Sequence, residues 1–503
     1  MTTAKALYQA LTPARSTVLD RARDASRLTI PGLIPEASQD EHYVSEQPYN
    51  SVAARGVASL AARSLVALFP PNLPFFRLQL DASVAKELGT DLGEANLRMS
   101  LVAGTAYSMM EAVTIRPIMN EALRHLIVAG NGLIHIPMKG APRFFRLDQY
   151  VCKRDHTGQF VTLVIHERVL PSVLPEATRA ACKVTSPADG NDKPIDVYTV
   201  VRREGVTVTQ YQEINDLEVP GSKGTAPAEA CGWLPLRWLM VPGSDYGRSH
   251  VTEYIGDILS LEDLTKAMVQ FATVASRIIG MVDPNSGIDL DELMDADTGT
   301  FLAGYADKVK FLQLEKHQDW AVMSSLAERL EQRVSNAFLL RGSAVRNAER
   351  VTAEEVRMIA EELETTLGGT YSVLSAEMQL PLVRRFLHIG ARQNRLPALP
   401  KSIHPNIVTG FDALGRAAAV NRIRMFLADA SQMLGPQQVM AYVNGEEILK
   451  RLGEGYAVEG LDSILKTPEQ RQAEQQEAAT GQAAVASAPH LIKAVSDAAS
   501  QPE

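Results

Sequence analysis

Two runs of charge hold the chemistry that this sequence could offer. Residues 341–350, RGSAVRNAER, carry Arg341, Arg346 and Arg350 against a single acid, Glu349. Guanidinium groups in such a loop make forked, charge-assisted contacts with phosphate oxygens and need read no bases. The second run is acidic. It holds Asp283, Asp289, Asp291, Glu292, Asp295 and Asp297, and no Lys or Arg interrupts residues 281–300. Carboxylate oxygens suit Mg²⁺ or Ca²⁺, but an EF-hand needs an acid at its twelfth position, and counting from Asp289 that place is Thr300. The run therefore reads first as a solvated acidic face or a docking surface for a basic partner. The alternative is a metal-dependent nuclease built on residues 283–297, against which stands the lack of Lys and His beside the acids.

The motifs of common enzymes are missing. No Gly-Lys pair occurs, so there is no P-loop. His166-Glu167 lacks the second histidine of a zinc-protease helix. In residues 243–247, GSDYG, the serine occupies the wrong slot for a nucleophile elbow. The ten histidines are scattered, and His125 and His135 lie beside apolar stretches as core histidines do. The three cysteines, Cys152, Cys182 and Cys231, show no C-x-x-C spacing and read as buried thiols. No cofactor and no metal are implied, and the chain reads as a non-enzyme.

The elements that must position the two charged runs follow from composition and period. With 503 residues the chain exceeds one ordinary core, and roughly two to four structural regions are expected. Hydrophobic content of 46% and charged content of 22% are those of a globular protein. The longest apolar run, LIVAGNGLIHIP, is too short to span a bilayer. MTTAKALYQALTPARS has no signal-peptide core, which predicts a cytosol-like compartment. The net charge of -9 and pI near 5.7 are the wrong sign for a protein that wraps DNA tightly, but suit one past which DNA slides.

Residues 1 to about 25 read as a helix stopped by Pro31-Gly32, and SVAARGVASLAARSLVALF reads as a second that ends at Pro70-Pro71. PFFRLQL reads as a strand. Helical periodicity from 82 to about 130 is expected to break near Pro117 and end in a turn at Gly130-Asn131-Gly132. Between about 133 and 241 the period changes to two, with hairpin turns at His156-Thr157-Gly158 and Glu204-Gly205. Helices follow at Ser249 to about Ile279 and Asp319–Leu340, flanking a Gly/Pro/Asp-rich insert. Met323, Leu326, Leu330, Val334 and Phe338 form one stripe of the second, of which Met323, Leu326, Leu330 and Val334 read as packing between subunits. After the basic loop, Thr352 and Glu355 form a capping box for a long helix that Gly368-Gly369 and Pro381 should bend or interrupt. Helices at 412–435 and 437–452 close the ordered part, and the Ala/Gln/Glu-rich tail after about Thr467 reads as disordered. The fold class is α+β, predominantly α-helical.

In this order along residues 20–465, the segments ARSLVALFP, HLIVAGNGLIHIP, SDYGRSHVTEYIGDILSLEDL, VKFLQLEK, ERVTAEEVRMIAEELETTLGG and QLPLV resemble the head-to-tail connector, or portal, proteins of short-tailed (podovirus-type) phages. The resemblance implies a homo-oligomeric ring, commonly a dodecamer, at a capsid vertex of the virion, assembled in the host cytoplasm. Double-stranded DNA would pass through its channel during packaging and ejection without sequence readout. The implied partners are the terminase (packaging ATPase), tail adaptor proteins, and the major capsid and scaffolding proteins, with no membrane. A helical capsid scaffold is the other structural alternative. The implied plan is a wing (1–248 plus the long helix and its connection, 352–411), stem helices (249–279 and 319–340), a clip (280–318), a tunnel loop (341–351) and a crown (412–466). Arg341, Arg346 and Arg350 would then face the channel, and Asp289, Asp291, Glu292 and Asp295 would form part of the clip's docking rim.

Overall fold

The computed structural model describes residues 3–36, 46–70, 75–80, 92–185, 193–275, 279–283, 309–312, 317–340, 369–397, 403–407 and 411–435, with isolated positions at 285–297 and 438–452. The chain divides into two compact units, residues 1–76 with 105–398 and residues 77–104 with 399–503. The basic loop, Glu292, the Thr352–Glu355 capping box, Gly368 and the tail after Thr467 lie outside the described residues.

Among the described residues the helices include α1 (Ala4–Leu28), α2 (Val52–Leu68), α3 (Leu92–Ala112), α4 (Ile115–Ala129), α5 (Ile255–Ala275), α6 (His317–Ala337), α7 (Thr370–Leu374), α8 (Leu380–Arg392) and α9 (Phe411–Leu434). In the second unit β1 (Phe76–Leu80) pairs with β13 (Ile403–Ile407). The period-two region of the first unit forms two antiparallel sheets. One takes β2 (Asn131–His135), β3 (Arg143–Phe145) and β10 (Trp233–Arg237) in the order β10-β2-β3. The other runs through β4 (Tyr150–Arg154), β5 (Phe160–Val169), β6 (Ile195–Glu204), β7 (Thr207–Ile214) and β8 (Leu217–Glu218), with β9 (Gly224–Pro227) also paired to β7. Both expected hairpins form, with Leu163 opposite Cys152 and Val200 opposite Tyr211.

Alternation sorts the larger sheet's two faces. Tyr150, Cys152, Leu163, Ile165 and Val201 enter one core, while Val151, Val164 and Val200 enter another, closed by Ala4, Leu7, Tyr8 and Leu11 of α1. All three cysteines are buried and unpaired. Arg15, 5% exposed, reaches from α1 under the sheet. Its Nη1 donates to the carbonyls of Leu147, Asp148 and Tyr150 at 3.1, 2.9 and 2.7 Å. Ala4 N–H donates to Glu213 Oε2 at 2.6 Å, which ties the start of α1 to β7.

The helix break falls earlier than Pro117. It is at Thr114, whose φ of 53° is left-handed, and Pro117 sits in the first turn of α4, where a missing N–H costs nothing. Gly130 caps α4 with φ 74°, and a Cβ there would lie 2.5 Å from Ser249 N. Asn131 and Gly132 are already strand rather than turn. Gly369, with φ 85°, caps the start of α7, and the helix expected before it lies outside the described residues. Pro381 does not break the chain's helical path. A π turn, Ser375–Gln379, widens the coil just before it, and this relieves the clash of the ring with the preceding turn.

That π-turn segment closes the far end of α2, whose last carbonyls have no intrahelical partner. Tyr371 Oη donates to Ala67 O at 3.0 Å, Gln379 Nε2 to Leu68 O, and Arg116 Nη1 to Phe69 O at 2.7 Å. Near the other end of α2, Gly56 faces Phe338. A Cβ at Gly56 would lie 2.6 Å from the ring's Cγ. Gly56→Ala should therefore lower thermal stability: overpacking of about 1–3 kcal/mol exceeds the helix-propensity gain of about 1 kcal/mol. Phe338→Leu in the same chain should recover part of the loss, and additive losses in calorimetry would refute a direct clash.

Candidate channel helices and docking surface

The two helices that flank the Gly/Pro/Asp-rich insert pack against each other. Ser249 Oγ accepts the N–H of Thr252 at 3.0 Å and starts a single helical turn, His250–Glu253, before α5. Arg333 Nη2 of α6 meets Asp257 Oδ1 near the start of α5 at 2.7 Å, whereas Trp320 near the start of α6 stacks on Phe271 near the end of α5, centroids 5.5 Å apart. The helices thus run antiparallel. Their ends are closed by β11 (Ile279–Val282) against β12 (Val309–Leu312), with Ile279 opposite Leu312 and Val282 opposite Val309. The insert is therefore carried on a two-stranded neck at one end of the helix pair.

The other end is fixed to the core that holds α2. Leu330, Val334 and Phe338 are buried, and Phe338 seats on Gly56. His250 Nε2 donates to Ala337 O at 2.9 Å, and its ring lies edge-on to Phe338 at 5.2 Å. Burial lowers the His250 pKa, so the ring is a neutral donor here. Glu262 of α5 accepts the N–H groups of Tyr49 and Asn50 at 2.7 and 3.0 Å just before α2 begins. Arg55 adds a longer pair to Glu331 at 3.7 Å. The Arg333 and Arg55 pairs are solvent-exposed, so they set register and contribute little stability.

This corrects one expectation about the stripe on α6. Leu330, Val334 and Phe338 are covered by the chain's own helices and are not free for a second subunit. Towards the insert the stripe opens: Leu326 is 49% exposed, and Val322, one turn before it and outside the stripe, is 70% exposed. On α5, Leu259, Val269 and Val274 are similarly exposed.

Within the insert, Asp289, Asp291, Asp295 and Asp297 are all exposed. Asp291 N–H donates to Asp289 Oδ1 at 3.0 Å, and Asp295 N–H to Asp291 O at 3.0 Å. The carboxylates are thus used for local turns or face water. Among the described residues no three acids, imidazoles or thiols gather as a metal site would need. Glu292, Arg341, Arg346 and Arg350 lie outside the described residues. The described residues that flank the segment holding the arginines are Leu340, half-buried, and Gly369, exposed, and just behind them Phe338 on one side and Thr370 and Tyr371 on the other are buried. Sequence reasoning missed Glu262 and Gly56 as fixing points. The signal for Gly56 was a glycine inside an otherwise strong helical run, which implies close approach of another element.

Among the described residues no helix is long and apolar enough to cross a membrane. The family model of the bacteriophage head to tail connecting protein matches residues 1–460. The portal protein of Enterobacteria phage T3 is 36% identical over 480 residues, covering 93% of this chain and 89% of the relative. That of Escherichia phage T7 is 35% identical over the same shares. The solved neck of an empty GTA particle aligns over 80% of this chain and 90% of that chain at 12% identity, with a TM-score of 0.38, too low to carry an argument. A match over nearly the whole chain, with more than a third of residues identical to one relative, settles the assignment: the chain belongs to the bacteriophage head-to-tail connecting protein family.

Proposed function

We propose that the chain is a portal subunit: copies assemble into a closed ring at a capsid vertex of a short-tailed phage, form the channel for genome packaging and ejection, and give the packaging motor and then the tail a platform. Family membership supports this, and so does one structural observation. The antiparallel helix pair is anchored at one end, while Leu259, Val269, Val274, Val322 and Leu326 stay uncovered along it. Apolar side chains along a stem are covered when neighbouring copies pack head-to-tail around an axis. In this reading the stem is 249–279 with 319–340, the clip 280–318, the tunnel loop 341–351 and the crown 412–466, and the ring is a dodecamer.

The channel then works by electrostatics rather than chemistry. A ring of such subunits carries on the order of minus one hundred formal charges, from -9 per chain. Acidic walls repel the duplex and hold it near the axis. Arg341, Arg346 and Arg350, repeated around the ring, offer weak, salt-screened phosphate contacts that brake slippage without fixing register. Energy for translocation comes from a separate packaging ATPase. Asp289, Asp291, Glu292 and Asp295 form part of the rim on which the motor and the tail adaptor dock, and the capsid and scaffolding proteins surround the wing.

Electron micrographs of the purified protein should show closed rings with a central hole. Val322→Asp with Leu326→Asp should leave a folded subunit by circular dichroism but abolish rings; rings that persist would refute the stem interface. Arg341→Ala with Arg346→Ala should keep rings and reduce the DNA retained in filled heads. Unchanged retention would sink the braking role. Amide substitution of Asp289, Asp291, Glu292 and Asp295 should weaken motor or adaptor binding at low salt, where surface charge counts most, and equal binding there would remove the docking rim.

A further inference from the structure

A cavity of about 310 Å³ opens between the β7–β9 edge, β10 and α8, and is lined by Gln210, Thr225, Trp233, Arg385, His388 and Arg392 among others. No carboxylate lines it. Arg385 is 5% exposed. Its Nε donates to Ile136 O at 2.9 Å and its Nη1 to Ala230 O at 3.1 Å. Those bonds hold the plane of the guanidinium. They leave Nη2 without a hydrogen bond among the described residues, and no acid pairs with Arg385, His388 or Arg392 there. Gly232 leaves room for this group: a Cβ on it would lie 2.8 Å from Nη2.

A buried guanidinium held only by neutral carbonyls is an uncompensated charge, and its surroundings register it. His135, stacked on Trp233 at 3.7 Å, has its pKa pushed down to about 3 by burial and by Arg385 and Arg143. Burial, Arg385 and Arg392 lower that of His388 as well. Burial lowers the pKa of Arg385 itself, and Cys231 is kept protonated by burial. The cavity is electropositive, lined by Arg385, Arg392 and the imidazole of His388, and its space is far larger than the about 10–15 Å³ that one water needs.

We propose that this cavity binds a small oxyanion, a phosphate or carboxylate group, gripped by Arg385 Nη2 from the floor and by His388 and Arg392 at the mouth. The geometry suits it: the floor donor is pre-set by two main-chain bonds, so little ordering is left for binding to impose. Charge-assisted bonds of this type are about twice as strong as neutral ones. The proposal is independent of the channel and rests on residues that no channel role uses.

Thermal unfolding of the full-length protein at fixed concentration, with inorganic phosphate or glutarate against sodium chloride of equal ionic strength, tests it. Either anion should raise Tm in a saturable way. His388→Ala with Arg392→Ala touches only the mouth and should weaken the affinity roughly tenfold. Arg385→Gln, if it folds, should abolish the effect. A rise with phosphate alone identifies a phosphate group, and a rise with glutarate alone a carboxylate. No rise with either anion, or an equal rise in the mouth variant, would overturn the proposal.

Discussion

Buried main-chain groups at the ends of elements must find partners, and this chain finds them far away in sequence. The last carbonyls of α2 are met by Tyr371, Gln379 and Arg116. Loop carbonyls beneath the large sheet are met by Arg15, and those beside β2 and β10 by Arg385. Glu377 accepts both the backbone N–H of Arg237 and its guanidinium. An orphaned buried carbonyl or N–H costs about 1–3 kcal/mol, so each of these side chains is hard to replace. The segment 370–392 supplies four of them. The core around α2 is therefore incomplete until a segment some three hundred residues downstream of α2 has docked, which makes the fold rich in non-local contacts.

The same constraint explains how the charge is distributed. The cations that serve the fold face inward onto carbonyls, as Arg15 and Arg385 do, or onto a half-buried acid, as Arg237 does. The acids of the insert face water.

Much of this was legible in advance. Period-two alternation gave both hairpins and sorted Val151, Val164 and Val200 from Cys152, Leu163 and Ile165, because strand geometry is local. The two helices flanking the insert were legible for the same reason. The π turn was not: Pro381 marks stress on a helix, but whether the coil kinks, ends or widens depends on what Glu377 and Gln379 must reach. The α6 stripe was read correctly as apolar and wrongly as uniform. Whether Val334 meets its own chain or another is decided by Gly56 and α2, far away in sequence. Of the charged candidates, Asp289, Asp291 and Asp295 are placed as exposed, as their composition implied, but what faces an exposed acid is not written in its own segment.

The contrast along α6 is the most informative consequence. At Phe338 the helix is seated against Gly56 with no clearance, roofed by His250 and bonded through Ala337 O. Toward the insert it is held by one aromatic stack and the β11–β12 ladder, and its apolar residues are open. Close-packed contacts yield little to displacement. A displacement at the Phe338 end must move α2 as well, and with α2 the side chains of Tyr371 and Gln379 that cap it. The stretch bearing Arg341, Arg346 and Arg350 runs between those same two fixed points, Phe338 and Thr370. It is therefore flanked on both sides by close-packed contacts, Phe338 on Gly56 and Tyr371 on the carbonyl of Ala67.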